Sequence, residues 1–174
     1  MQLRSALGCG TRIGLELPLA PPPAAPPSPL AVLTDHRPLP QGRHVLVLED
    51  DPLSREAVAG LLQAWGFRVR TADSLAAALR VFEDVGVPDL LVTDFQLAEW
   101  VNGIDAVRQL RAAAGRKVPA CLISGTNTPA LQLAAQESGL VLLHKPVRPA
   151  KLRALVRRLV AGASADQDDA APPR

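Results

Sequence analysis

The sequence predicts an α/β fold in which a doubly wound, five-stranded parallel sheet carries helices on both faces. Strand-like and helix-like segments alternate five times over residues 43–161. Three of the strand segments are almost continuous apolar runs, which is typical of parallel strands covered on both faces. The chain has 174 residues, of which 48% are hydrophobic, so it can build one such domain around a packed core.

Five strands are predicted where apolar and β-branched residues run together between turn signals. In chain order they are HVLVLE (44–49), FRVRTA (67–72), DLLVTD (89–94), ACLIS (120–124) and LVLLHK (140–145). Helices are predicted between and after these strands from N-cap residues and from apolar side chains at helical spacing. The helix signals are a start at Pro52, an N-cap at Ser74, a start near Asn102, an N-cap at Thr128 followed by Pro129, and an apolar series from Leu152 to Leu159.

Two flanking segments differ from this domain in composition. Nine of the 17 prolines lie between Pro18 and Pro40. They predict a semi-extended polyproline spacer over residues 20–42, with recognition by an SH3-type domain as the alternative. Residues 162–174 are small, polar and acidic, which predicts a disordered tail. Residues 17–34 lack charge, but their seven prolines exclude a membrane-spanning helix.

Charge and cysteine content narrow the function classes. The net charge of +2 is too small to indicate a nucleic-acid-binding protein. The two cysteines, Cys9 and Cys121, are far apart and form no disulfide framework. The first ten residues contain an arginine and no continuous apolar run, so no export signal is predicted. A reduced, cytoplasmic location is therefore expected.

Chemically active side chains follow four of the five predicted strands. They are Glu49, Asp50 and Asp51 after the first strand, Asp94 at the end of the third, Ser124 at the end of the fourth and Lys145 at the end of the fifth. The carboxyl ends of parallel strands meet at one edge of the sheet, where such folds bind their ligands. Each residue alone could be a turn, cap or solvated side chain. Their coincidence at one edge indicates a functional site.

Acidic groups gathered at one edge repel one another, and the repulsion raises the pKa of at least one of them. A hard divalent cation relieves this repulsion. Mg²⁺ prefers oxygen ligands in octahedral geometry and usually keeps several waters. One or two carboxylates, a backbone carbonyl and a phosphoryl oxygen suit it. The residue types therefore predict magnesium as the cofactor, and no organic cofactor is predicted.

These motifs resemble the receiver family of two-component signalling over residues 43–161. VLVLEDDP is similar to the first strand and acidic pair of that family, and DLLVTD to its phosphoacceptor strand. CLISG carries the hydroxyl residue of the family, and Ser124 lies 30 positions after Asp94, the usual spacing. LLHKPV carries the family's lysine and the proline whose preceding peptide bond is commonly cis. The resemblance implies a flavodoxin-like strand order, 2-1-3-4-5.

The resemblance also implies a function, which is transfer of a phosphoryl group from a phosphohistidine onto Asp94. The phosphohistidine would belong to a histidine kinase or to a histidine-phosphotransfer protein. The implied magnesium ligands are Glu49 through water, Asp50, Asp94 and the carbonyl of Gln96, and the implied phosphoryl contacts are Ser124 and Lys145. A domain of this kind is a signalling acceptor that catalyses its own phosphotransfer and dephosphorylation, and it is not a conventional enzyme.

The sequence departs from the family pattern in three places. The loop FQLAEWVNG has Ala98 where the family usually has proline. It reaches Gly103 one residue later than many receivers do, and this longer loop ending in NG resembles receivers fused to histidine kinases. Leu142 stands where the family often has a Tyr or Phe that switches orientation. A switch based on an aromatic side chain is therefore not expected here.

The N-terminal segment LRSALGCGTRIGLELPLA resembles the last strands of a histidine-kinase ATP-binding domain. Gly8, Gly10 and Thr11 match the end of the final glycine box of that domain, and LELP matches its closing strand. The resemblance implies that residues 1–19 are the end of such a domain in a hybrid sensor kinase, and that this piece cannot bind ATP alone. Because the rest of that sheet is missing, we expect these strands not to pair and residues before about 41 to be loosely ordered.

Several other functions stay open. A stand-alone response regulator is one, and a degenerate receiver acting as a protein-interaction module is another. A transcriptional regulator is disfavoured because only about a dozen polar residues follow the fifth helix, although that helix is basic. An aspartate-nucleophile phosphatase of the haloacid-dehalogenase type would need a second aspartate at position 96, where this chain has Gln96.

Overall fold

A computed structural model describes residues 2–6, 8, 10–14, 39, 41–98 and 101–168. The chain divides into two compact units, Met1–Thr34 and Asp35–Arg174. In the first unit, strand β1 (Gln2–Ala6) pairs antiparallel with strand β2 (Gly10–Gly14). The expectation that these strands do not pair is therefore wrong, because the backbone groups of each strand can hydrogen-bond with those of the other. The short turn between them includes Gly8, whose φ is 79°.

The described residues of the second unit form five strands and five helices in alternation. Its elements are β3 (His44–Leu48), α1 (Pro52–Ala64), β4 (Arg68–Ala72), α2 (Leu75–Val85), β5 (Leu90–Asp94), α3 (Gly103–Ala114), β6 (Ala120–Ser124), α4 (Pro129–Glu137), β7 (Val141–His144) and α5 (Pro149–Asp168). The sheet is parallel throughout, with strand order β4-β3-β5-β6-β7. Counted within this unit, the order is 2-1-3-4-5, and the predicted flavodoxin-like fold is confirmed.

The two faces of the sheet are covered by different helices because alternate residues of each strand point to opposite faces. On β3, Leu46 and Leu48 belong to a core cluster with α2, α3 and α4. Val45 and Val47 belong to a second cluster with α1 and α5. Leucine, valine, isoleucine and alanine dominate both clusters, as the low aromatic content of 3% requires.

Helices α1 to α4 begin where the sequence predicts. Ser74, Asn102 and Thr128 are the N-caps of α2, α3 and α4, and each side chain accepts a hydrogen bond from a backbone N–H in the first turn. Asp51 caps α1 by accepting from the Ser54 N–H at 2.7 Å. The hydrogen bonds from Ser54 hold the pKa of Asp51 below its usual value. Asp51 thus serves the helix, whereas Glu49 and Asp50 remain available for a site.

Two predicted domain boundaries differ from those in the structure. Leu39, placed in the spacer, is 5% exposed and belongs to the core cluster shared with α1 and α5. The Gly42 N–H also donates to the Gly66 carbonyl at 3.1 Å. The domain therefore begins before residue 43. Most of the predicted spacer lies outside the described residues.

The predicted start of the disordered tail, Gly162, is also wrong. Helix α5 runs through it and ends at Asp168. One glycine costs a helix only about 1 kcal/mol relative to alanine, and the neighbouring alanines favour the helix. Residues 169–174 lie outside the described part of the chain. Among the described residues, no helix has the length and apolar character that crossing a membrane requires.

Candidate functional site

The candidate site lies at the carboxyl edge of the sheet, where β3 and β5 are neighbours. Glu49 and Asp50 follow β3, and Asp94 is the last residue of β5. Ligand atoms of these three carboxylates all lie within 4.8 Å of one another. Glu49 and Asp94 are buried, whereas Asp50 is more exposed. The predicted acidic residues therefore converge on one small volume that opens to solvent on the Asp50 side.

Lys145 reaches this volume from the end of β7. Its Nζ lies 3.0 Å from Oε2 and 3.3 Å from Oε1 of Glu49, and 3.1 Å from Oδ1 of Asp94. The Lys145 N–H donates to the Ser124 carbonyl at 2.8 Å, which anchors the backbone at this edge. The peptide bond between Lys145 and Pro146 is cis, as the family resemblance implies. One ammonium group thus bridges the two buried carboxylates.

Burial dominates the electrostatics of the site. It raises the pKa of Asp94 and of Glu49, although the nearby Lys145 ammonium opposes the rise at both. Burial lowers the pKa of Lys145, but its attraction to the carboxylates of Glu49 and Asp94 outweighs this and leaves the pKa raised. The single positive charge of Lys145 therefore does not fully compensate the acidic cluster.

The residues present fit a hard divalent cation. The buried Oδ1 of Asp94 receives no well-formed hydrogen bond from any described residue, even though Lys145 lies 3.1 Å away. A buried carboxylate oxygen that lacks a hydrogen bond is costly, and the ion pair with Lys145 compensates this cost only in part. Oxygen ligands from Glu49, Asp50 and Asp94 match the preference of Mg²⁺.

The loop after Asp94 is closed at its base. Gln96 pairs with Asn102 in an antiparallel bridge, and the Gly103 N–H donates to the Phe95 carbonyl at 2.8 Å. Gln96 is exposed and follows Asp94 by two residues. Residues 99 and 100, at the tip of this loop, are not among the described residues.

Gly103 holds the first turn of α3 against the back of Asp94. A Cβ at position 103 would overlap the Asp94 carbonyl oxygen and would lie 2.7 Å from Cδ1 of Leu122. Only glycine fits this contact. Sequence analysis identified Gly103 as the end of a loop but missed the contact, because glycines are common in loops that lead into helices.

Ser124 lies at the same edge, at the end of β6, but its hydroxyl is engaged elsewhere. The Ser124 Oγ accepts from the Thr126 N–H and donates to the Thr126 carbonyl, both at 3.0 Å. The side chain is fully buried. Leu142, on β7, packs partly buried against the core cluster of α2, α3 and α4 and carries no polar group.

Sequence analysis also missed Arg55. Its Nη1 donates to the carbonyls of Glu49 at 2.7 Å and Asp50 at 3.0 Å. The signal that could have revealed it is a cation in the first turn of a helix, where the helix dipole disfavours positive charge.

The comparisons with known proteins identify the family of this chain. Residues 45–157 match the family described as the response regulator receiver domain. A two-component response regulator of rice, ORR3, is 30% identical over 119 residues, covering 67% of this chain and 90% of the relative. The alkaline phosphatase synthesis transcriptional regulatory protein SphR of Synechococcus elongatus is 34% identical over 156 residues, covering 82% of this chain and 54% of that protein.

Solved structures show the same fold. The Vibrio cholerae chemotaxis protein CheY4 superposes with a TM-score of 0.61 at 22% identity, covering 68% of this chain and 98% of that one. The receiver domain of a modulated diguanylate cyclase from Desulfovibrio desulfuricans superposes with a TM-score of 0.63 at 21% identity, covering 72% and 99%. With a family match over most of its length and a carboxylate cluster at the expected edge, the chain belongs to the response regulator receiver domain family.

Proposed function

We propose that this chain is a phosphoacceptor that takes a phosphoryl group from a phosphohistidine onto Asp94 in the presence of Mg²⁺. The observation that carries the proposal is the position of Asp94. Its buried carboxylate lies beside those of Glu49 and Asp50 and within 3.1 Å of the Lys145 ammonium. A carboxylate held among two further carboxylates and a cation suits transfer of a charged group.

The transfer has a simple atomic balance. A carboxylate oxygen of Asp94 attacks phosphorus and forms a P–O bond, while the P–N bond of the phosphohistidine breaks. The departing imidazole keeps the bonding electron pair and takes a proton from solvent. Other side chains take little part in bond making or breaking, so the catalysis consists mainly of positioning and charge neutralisation. Later attack of water on the acyl phosphate restores the carboxylate. We therefore propose a self-catalysed acceptor and not a conventional enzyme.

The acidic residues and Lys145 have different proposed roles, which follow from their charges. Glu49, Asp50, Asp94 and the carbonyl of Gln96 would hold Mg²⁺, which when bound neutralises charge on the phosphoryl oxygens. Lys145 already sits 3.1 Å from an oxygen of Asp94, so it can contact a phosphoryl group attached there. The Ser124 hydroxyl would have to leave the Thr126 backbone to reach the same group.

We further propose that the donor is a histidine kinase or a histidine-phosphotransfer protein, and that the output is phosphate relayed or drained without direct action on DNA. Three exposed cations would steer an acidic partner: Lys151 and Arg158 on helix α5, and Arg148 just before it. The origin in a hybrid sensor kinase rests on the likeness of residues 1–19 to a kinase domain end. We also propose a cytoplasmic location, which a chain with only two distant cysteines favours.

A stand-alone response regulator is the second candidate. It is favoured by the matches to ORR3 and CheY4, because the aligned region fills 90% and 98% of those two proteins. Phosphotransfer from a radiolabelled phosphohistidine donor tests the proposal. Asp94 should gain label within minutes, and Asp94→Asn should gain none. Specific promoter binding by the phosphorylated chain, without transfer from any donor, would overturn the relay.

A further inference from the structure

The side chain of Arg55 binds the backbone of the acidic segment, residues 49–51. Its Nη1 donates to the carbonyl oxygens of Glu49 at 2.7 Å and Asp50 at 3.0 Å. Its own N–H donates to the Asp51 carbonyl at 3.0 Å. One residue of α1 therefore holds three consecutive carbonyls, and two of them belong to residues of the carboxylate cluster.

The position of Arg55 is unfavourable for the helix itself. It lies in the fourth position of α1, near the positive end of the helix dipole, where a cation costs about 0.3–1 kcal/mol. The first turn of α1 itself contains no acidic residue, and the N-cap Asp51 offsets only part of this charge. The hydrogen bonds to Glu49 and Asp50 are charge-assisted, and they account for the placement better than helix stability does.

We propose that Arg55 is a positioning residue, which fixes the peptide units of Glu49 and Asp50 so that their carboxylates converge with that of Asp94. The inference rests on the proposed magnesium-dependent function, since it concerns the geometry of the magnesium ligands. It adds to that function a residue on α1 that binds the backbone of Glu49 and Asp50 and is not itself a proposed ligand.

The sign of one measurement separates this role from a simple charge effect. A guanidinium next to a cation site repels Mg²⁺, so its removal should strengthen magnesium binding if charge alone matters. If Arg55 holds the ligands in place, its removal should weaken magnesium binding, because the chain must then order residues 49–51 when the ion binds.

The test is a Mg²⁺ titration of the full chain, followed by the amide NMR shifts of Glu49, Asp50 and Asp94. We expect Arg55→Ala to raise the Kd for Mg²⁺ about tenfold, which corresponds to about 1.4 kcal/mol. Arg55→Lys should recover part of the affinity, because an ammonium group can also donate to two carbonyls. This variant keeps the test decisive should Arg55→Ala fold poorly.

Arg108→Ala is the matched control. Arg108 is also an arginine of an α-helix, but its side chain is 73% exposed and pairs with Asp105 at 2.9 Å. Its removal should change the Kd by less than about twofold, as for an exposed pair. Magnesium binding by Arg55→Ala that equals or exceeds wild-type binding overturns the positioning role alone. A wild-type chain that does not bind Mg²⁺ overturns the proposed function, and the inference with it.

Discussion

The ammonium nitrogen of Lys145 lies 3.1 Å from Oδ1 of Asp94, although Asp94 ends β5, Lys145 follows β7, and β6 lies between these strands. The long lysine side chain crosses this strand end to reach an aspartate side chain that is only 6% exposed. The same nitrogen contacts Glu49 at 3.0 Å. Lys145 therefore neutralises part of the cluster before any ligand arrives.

Asp94 should be the only phosphorylated residue. Acetyl phosphate with Mg²⁺ should add one phosphoryl group to the wild-type chain, measured by intact mass, and Asp94→Asn should remain unmodified because the amide is a poor nucleophile. Asp73→Asn is the control, since Asp73 follows β4 at the same edge but lies outside the carboxylate cluster. Labelling of Asp94→Asn at the wild-type level would show that the acceptor is another residue.

Removal of Lys145 should separate metal binding from the response. Lys145→Ala should bind Mg²⁺ at least as tightly as wild type, because a cation beside two of the ligands is lost. Affinity for the phosphoryl mimic beryllofluoride should fall about 10- to 100-fold, since a charge-assisted hydrogen bond contributes about 1.5–3 kcal/mol. Calorimetry with each ligand checks this. Loss of magnesium binding in Lys145→Ala would contradict the assignment of Lys145 to the phosphoryl group.

Gly103→Ala should be strongly destabilising. Its Cβ would overlap the Asp94 carbonyl oxygen, so α3 must move away from β5. We expect the free energy of unfolding in urea to fall by about 3 kcal/mol, at the upper end for overpacking. Gly60→Ala in α1 is the control, because nothing lies within 4 Å of its Cβ position. That change should stabilise the domain by about 0.5–1 kcal/mol. Equal effects at the two positions would exclude the packing role of Gly103.

Beryllofluoride should shift amide NMR signals mainly in residues 125–128. The Ser124 hydroxyl must break two hydrogen bonds with Thr126 to reach a phosphoryl group, so the following loop has to rearrange. Leu142 has no hydroxyl-bearing ring to turn inward, and α4 and β7 should therefore shift only modestly. Ser124→Ala should lose most of the loop response. Shifts spread evenly over α1 and α2 would contradict this local switch.

Cys121 should be inert in the folded protein. It is fully buried in β6, and burial raises the pKa of its thiol to about 12. At pH 8 the thiol therefore stays protonated, and the thiolate is the reactive form. In a Cys9→Ser background, a thiol reagent should modify the chain only after urea unfolds it. Rapid modification of the native variant would indicate that β6 opens readily.

Much of this arrangement could be predicted because its signals are local. The N-caps Ser74 and Thr128 bond within their own first turns, so sequence neighbours suffice to recognise them. The edge that carries Glu49, Asp94 and Lys145 follows from the rule that parallel strands end together. The domain boundaries were predicted less accurately. Leu39 belongs to the core and α5 continues past Gly162, and both depend on contacts and neighbours that the local sequence pattern does not show.

By itself, the sequence determined the alternation of strands and helices and the edge at which the carboxylates gather, because both depend on residue type and spacing along the chain. Through its family resemblance it also predicts Asp94 as the acceptor. Only the tertiary structure decided that Lys145 bridges Glu49 and Asp94, that Gly103 packs on the Asp94 carbonyl, and that the Ser124 hydroxyl faces Thr126. These contacts join side chains and backbone through strand register, helix placement and rotamer choice, which depend on the packed core and not on local sequence.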